Sequence, residues 1–196
     1  MAAETPDPFI EITEVHKTFG TQHVLRGLSL KIQRGETLVV LGPSGAGKSV
    51  LLKHIMGLVQ PDRGSVKVDG EDISHLSERK LGDTRRKVGI LFQDGALFDS
   101  FNVAENVAFP LIESGLKDRQ EIFERVREAL TMVELEAHMA KMPTNLSGGM
   151  RKRVALARAI VTHPDGVLYD EPTAGLDPIV SDSINILIRR TQEAYK

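Results

Sequence analysis

The stretch Gly42-Pro43-Ser44-Gly45-Ala46-Gly47-Lys48-Ser49 constrains this chain more than any other. An uncharged apolar run, Thr37-Leu38-Val39-Val40-Leu41, precedes it and predicts a buried strand. Val50 to Met56 follows with the apolar density of a helix, and Gly57 closes it. Strand, glycine-rich turn and helix make the context in which G-x-x-x-x-G-K-[ST] cradles phosphate. Glycines let the backbone curl until successive N–H groups face one anion, and the helix N-terminus adds the positive end of its dipole. Lys48 is expected to reach the β- and γ-phosphates, and the Ser49 hydroxyl to take a Mg2+ coordination position. The stretch predicts binding of a nucleoside triphosphate.

Around this unit the first seventy-odd residues predict antiparallel strands. Ile10 and Ile12 alternate with polar neighbours, as do Leu28, Leu30 and Ile32, with Thr18-Phe19-Gly20 expected as a loop. Val66 and Val68 lead to Asp69-Gly70, a strong hairpin signal. Ser77 to Arg86 predicts a polar helix and Val88 to Phe92 a short buried strand that ends at Gln93. From Asp94 to Asn145 the character turns helical. Asn102 is expected to cap a helix over 103–109 that Pro110 ends or bends, and Asp118 to cap the next. In that next helix Ile122, Phe123, Val126, Ala129, Leu130 and Val133 recur at helical spacing. Ser147 is expected to cap a helix over 148–162, Val167-Leu168-Tyr169 to form a buried strand, and 179–194 to form a last amphipathic helix.

Two further places carry chemistry. Asp170-Glu171 closes an apolar strand, where parallel α/β sheets bind ligands. Asp170 would hold Mg2+ and Glu171 would polarise the attacking water. Alone, such a pair reads as a solvated strand end; downstream of a phosphate loop it reads as a Walker B site. Leu146-Ser147-Gly148-Gly149-Met150 opens a helix with a Ser cap and two glycines, an anion site in form. Arg151, Lys152 and Arg153 crowd that helix's first turn, where the macrodipole disfavours cations. They are expected to attract phosphate or an acidic partner.

These elements occur in an order that resembles the ABC-type ATPases: a Walker A loop at 42–49, Gln93 after a strand, Leu-Ser-Gly-Gly at 146–149, Asp-Glu at 170–171 and Gly-Leu-Asp at 175–177. The resemblance implies an α/β fold of the phosphate-loop NTPase kind. It comprises a RecA-like core with an antiparallel β subdomain and an inserted helical subdomain. Across residues 1–196 it implies one ABC ATPase domain, with 9–93 and 146–196 as nucleotide-binding core and 94–145 as helical subdomain. It implies ATP and Mg2+ as cofactors. It places Phe19 on the adenine and Val24 beside base and ribose. Gly42, Pro43, Ser44, Gly45, Ala46, Gly47, Lys48, Ser49 and Val50 hold the phosphates. Ser49, Gln93 and Asp170 serve Mg2+, and Glu171 and Gln93 serve catalysis. Ser147, Gly148, Gly149 and Asp177 are implied to reach a nucleotide held by the opposite subunit of a head-to-tail homodimer. Such a dimer encloses two ATPs and drives an integral-membrane permease contacted near Gln93 and the helical subdomain. Its implied location is cytoplasmic, peripheral on the inner face of the cell membrane.

A narrower resemblance, to the ATPase subunit of Mla/Mce-type lipid transporters, rests on Gln93 to Phe98, Asn102-Val103, Asn106 to Leu111 and Met150. It implies a phospholipid or other hydrophobic cargo. The alternative is a soluble ABC-type ATPase acting on nucleic acid or the ribosome. A net charge of −2 argues against that alternative, because it gives no global attraction to polyanions. The chain has no cysteine, which removes thiolate and disulfide chemistry, and Met1 to Pro8 lacks the layout of a signal peptide. No apolar run is long enough to cross a bilayer, so any membrane role is expected to come through a partner.

One departure stands out. The family carries a switch histidine on a loop beyond Walker B, whereas His16, His23, His54, His75, His138 and His163 all precede Asp170. The sequence therefore reads as C-terminally truncated, a fragment or else a natural protein with impaired hydrolysis, with ATP binding expected through the intact cradle and slow turnover.

Overall fold

A computed structural model describes residues 7–194; residues 1–6, most of the acidic amino-terminal stretch, and 195–196 lie outside the described residues. Two compact units divide the chain, Met1–Arg85 and Arg86–Lys196.

In the first unit, alternating apolar residues build the strands β1 (Ile10–Phe19) and β2 (Gln22–Ile32), which pair antiparallel. The turn lies at Gly20–Thr21, so Thr18 and Phe19, expected in a loop, belong to β1. The reason is that Thr18 pairs with His23 and Phe19 with Gln22, which extends the ladder to the tightest turn available. Strands β3 (Arg63–Val68) and β4 (Glu71–Asp72) complete a four-stranded sheet of order β2-β1-β3-β4. The hairpin expected at Asp69-Gly70 is present, with φ of 51° and 78°, the pair of positive angles a two-residue turn of this twist needs. Ile10, Ile12, Val15, Val66 and Val68 bury one face of the sheet. The helix after the phosphate loop, α1, runs Lys48–Ile55, and the polar helix α2 runs Glu78–Lys87.

One expectation fails here. Thr37–Leu41 is neither a strand nor buried: Leu38 is 40%, Val39 71%, Val40 43% and Leu41 88% exposed. A uniformly apolar run predicts a strand covered on both faces, but burial comes from neighbouring strands rather than from the run itself. No described strand pairs with it.

The second unit centres on α5 (Gly148–Ile160), whose Val154, Ala155, Leu156, Ala157, Ile160 are buried in one apolar core. Each fully buried aliphatic side chain of this kind contributes roughly 1.5–3 kcal/mol. Against α5 pack α3 (Val103–Glu113), α4 (Arg119–Met132) and α6 (Pro178–Ala194). The strands β5 (Val88–Leu91) and β6 (Gly166–Tyr169) form a parallel pair beside it. Gly89 permits this packing, because a Cβ there would meet the Ala159 carbonyl oxygen at 2.1 Å.

Asn102 caps α3 through a full capping box with Glu105, and Asp118 caps α4 by accepting from the N–H groups of Gln120 and Glu121. Pro110 does not end α3. It removes one ladder donor, and the helix resumes to Glu113, held by Val107 and Leu111 in the core. On α4, Val126, Ala129 and Leu130 are buried, as is Val133 just after it, whereas Phe123 is half exposed.

Candidate nucleotide-binding residues

The phosphate loop curls as its glycines dictate. Gly45 and Gly47 have φ of 78° and 95°, in the region that favours glycine, and Gly47 stands at the N-cap of α1. The Ala46 N–H donates to the Pro43 carbonyl at 3.2 Å, and Lys48 Nζ folds back to the carbonyls of Gly42 (3.0 Å) and Pro43 (3.1 Å). The loop is thus wrapped around its own lysine. Strand β2 lies against it: a Cβ on Gly47 would meet Val24 Cγ1 at 3.0 Å and Leu25 Cδ2 at 3.2 Å. Phe19 ends β1 with 47% of its surface exposed, its ring 5.5 Å from Lys17 Nζ. Val50 sits half-buried in the first turn of α1, after the partly buried Ser49.

Behind this loop, His54 of α1 is 1% exposed. Its Nδ1 lies 2.7 Å from the Val50 carbonyl, which can only accept, so Nδ1 carries the proton. Its Nε2 has no partner. Burial lowers the pKa of His54, and the Val50 hydrogen bond opposes that shift.

The second unit holds the other candidates. Asp170 follows β6 and is buried; its N–H donates to the Leu91 carbonyl at 2.9 Å, which continues the strand pairing to the carboxylate. Beside it, burial pushes the Tyr169 hydroxyl up to about 12. Glu171 is exposed and takes φ of 44°, a left-handed conformation costly for a non-glycine residue. Gln93 is exposed after β5, and its carbonyl accepts from Lys152 Nζ. Lys152 is 6% exposed, and the charges of Asp94, Asp170 and Glu171 act on its ammonium. Burial lowers the Lys152 pKa and these three carboxylates oppose the shift.

Ser147 caps α5, its hydroxyl accepting from the Met150 N–H at 3.3 Å. Gly148 and Gly149 follow; a Cβ on Gly148 would lie 3.4 Å from Cδ2 of Leu176, just ahead of α6, and Gly149 lies against Val180 of α6 itself. Asp177 caps α6, accepting from Ile179 N–H (3.1 Å) and Val180 N–H (3.0 Å). The three cations of α5's first turns are tied to this chain, with Arg151 exposed, Arg153 half-buried and Lys152 buried. Arg151 donates to the Leu146 carbonyl, Lys152 to that of Gln93, and Arg153 to Val133 and the Glu134 carboxylate. Carbonyl oxygens of this chain offset the unfavourable dipole.

Residues 25–174 match the ABC transporter family. The chain belongs to that family. A probable ribonucleotide transport ATP-binding protein, mkl, of Mycobacterium tuberculosis is 47% identical over 91% of this chain and 50% of its own length. The intermembrane phospholipid transport system ATP-binding protein MlaF of Haemophilus influenzae is 42% identical over 94% of this chain and 70% of its own. The chain therefore spans about half the length of the mycobacterial relatives it matches. In structure it is similar to the ATP-binding cassette MJ0796 in a dimeric post-hydrolysis state bound to ADP and Pi. The TM-score is 0.86 at 34% identity, covering 94% of this chain and 83% of that one. The fold is that of an ABC ATPase, as its motif order implies.

Members of this family bind ATP, typically with Mg2+. Among the described residues no group of three or more His, Cys, Asp or Glu could hold a metal alone. The donor types match a hard cation: the first unit offers the Ser49 hydroxyl, and the second, separately, the Gln93 amide and the Asp170 carboxylate. No described helix is long and apolar enough to cross a membrane.

The sequence pointed to no role for Asn106. It is fully buried on α3, where Oδ1 accepts from Phe98 N–H and Nδ2 donates to the carbonyls of Phe98, Phe101 and Asn102. A lone amide on the apolar stripe Val103, Val107, Leu111 was the available signal.

Proposed function

We propose that this chain is the ATP-binding and hydrolysing part of an ABC transporter that couples ATP-driven dimerisation to a membrane permease and moves phospholipid or another hydrophobic solute. The observation that carries the reading is the loop Gly42–Ser49, curled through left-handed glycines at the start of α1 with Lys48 folded inside it. ATP's phosphates would replace the carbonyls that Lys48 now holds. Phe19 and Val24 would contact base and ribose. Ser49, Asp170 and Gln93 would serve Mg2+, which supplies neutralisation of the phosphate charge. Glu171 would polarise the attacking water, held by a strained backbone in a position the chain does not adopt without cause.

Ser147, Gly148, Gly149 and Asp177 would meet the nucleotide of a second copy, head to tail. That arrangement is supported by likeness to a dimeric cassette. A phospholipid or similar cargo is supported by 42% identity to MlaF and by the Gln93–Phe98 and Asn106–Leu111 stretches. Residues 94–145 and Gln93 would face the permease, leaving this subunit peripheral on the cytoplasmic face of the membrane.

The test is Glu171→Gln with ATP and Mg2+, followed on a sizing column. Retained ATP should raise the dimer population well above that with ADP, and a chain that stays monomeric at high concentration overturns the two-ATP sandwich. Purification from native membranes should recover an integral-membrane permease. Recovery with ribosomes or DNA instead would reject transport.

A further inference from the structure

Residues 93–96 follow β5 as an irregular segment in which Gly95 and Ala96 both have positive φ, 77° and 49°. Such a segment has little to hold it by itself; within it, the Gly95 N–H donates to the Phe92 carbonyl. Two cations of α5 hold the rest. Lys152 Nζ donates to the Gln93 carbonyl. Arg158 donates from one nitrogen to the Gly95 carbonyl and from the other to that of Ala96, each at 2.7 Å. Lys152 and Arg158 are six positions apart, roughly 9 Å along the helix axis, so the segment is gripped at two well-separated points. Between them a Cβ on Gly95 would touch Ala155 Cβ at 3.5 Å, so the segment lies directly on the helix.

We infer that Lys152 and Arg158 are positioning residues that clamp the backbone of 93–96, and Gln93 with it, to the helix opened by Ser147-Gly148-Gly149. A buried lysine and a half-buried arginine are costly to desolvate, and apolar side chains would fill the same space without that cost. What apolar residues cannot do is fix three carbonyls in direction. Helix α5 is continuous from Gly148 to Ile160, so a displacement of its N-terminus is carried to Gln93 with no flexible joint between. The inference rests on the ATPase reading for its consequence, though not for the clamp itself.

The experiment uses the full chain and the substitutions Lys152→Met and Arg158→Lys. Hydrogen exchange without nucleotide should quicken by about tenfold or more at the amides of 93–97 in each variant. Exchange at α4 should hold. Unchanged exchange at 93–97 overturns the clamp. With MgATP, kcat should fall about tenfold while KM stays within about threefold, and Lys152→Arg should recover most of the loss. If kcat, KM and the unfolding midpoint all move together, the residues are merely structural and the inference fails. Should Lys152→Met not fold, Lys152→Gln keeps one donor and carries the same readouts at intermediate values. A parent chain that neither binds nor hydrolyses MgATP would sink the ATPase reading, and the exchange result would still decide the clamp.

Discussion

Gly149 sits so close beneath Val180 that a Cβ added to it would lie 2.6 Å from Val180 Cγ1. The glycine of the signature therefore has a packing duty between α5 and α6, apart from any contact with phosphate. Val180 is β-branched and stiff at χ1, so it cannot swing aside cheaply. Gly149→Ala is expected to lose about 1–3 kcal/mol in urea unfolding, overpacking outweighing the better helix propensity of Ala. Adding Val180→Ala should recover part of that loss; a double variant no better than the single would place the strain elsewhere.

Asn106 ties Phe98, Phe101 and Asn102 to α3 through four hydrogen bonds, which also hold the tilted Phe98–Phe109 ring pair 4.8 Å apart. Asn106→Ala should destabilise the chain by about 3 kcal/mol, since each buried bond nets about 1 kcal/mol and orphaned partners add to the cost. Asn106→Asp keeps the acceptor toward Phe98 N–H and loses the three donations, so it should be no less harmful. Equilibrium denaturation of both variants measures this.

Leu41 is 88% exposed ahead of the phosphate loop. Leu41→Lys should then change the unfolding free energy by less than about 0.5 kcal/mol, the usual span for a surface site. It should also reduce aggregation, because it interrupts an exposed apolar run. A loss of several kcal/mol would mean that the run is covered on both faces.

His54 supplies a pH dependence with a definite sign. Its pKa in the folded chain is lowered below the ordinary 6.5 by burial, so the unfolded chain takes up the proton more readily. Stability should therefore rise with pH through the window below 6.5, and fall as acid protonates the unfolded state. Physically, a proton on Nε2 would bury a charge and an N–H without an acceptor. His54→Gln should flatten this slope between pH 5 and 7.5 in denaturant titrations. A wild-type slope that persists in the variant would assign it to other groups.

Much of the site was legible because its determinants are local. Gly45 and Gly47 adopt positive φ for want of a Cβ, Asn102, Asp118 and Ser147 cap helices through atoms within three residues, and Asp69-Gly70 turns a hairpin unaided. Apart from Thr18 and Phe19, whose strand pairing runs across a tight local turn, the failures depend on partners distant in the chain. Arg151, Lys152 and Arg153 were expected to attract phosphate or an acidic partner, and the sequence did not show that each also holds a carbonyl of this chain. Pro110 was expected to end or bend the helix, and the core carries the helix through it to Glu113.

By itself, then, the sequence determined the phosphate loop, the caps, the order of motifs and the family they mark. These follow from backbone conformations and hydrogen bonds that each segment satisfies within a few residues. Only the tertiary structure decided that Thr37–Leu41 lies exposed, that Gly149 must stay small beneath Val180, and that Gln93 is clamped through Lys152 to the signature helix. Each depends on what a residue meets across a gap of tens of positions, and apolar periodicity tells which side chains seek cover without telling what will cover them.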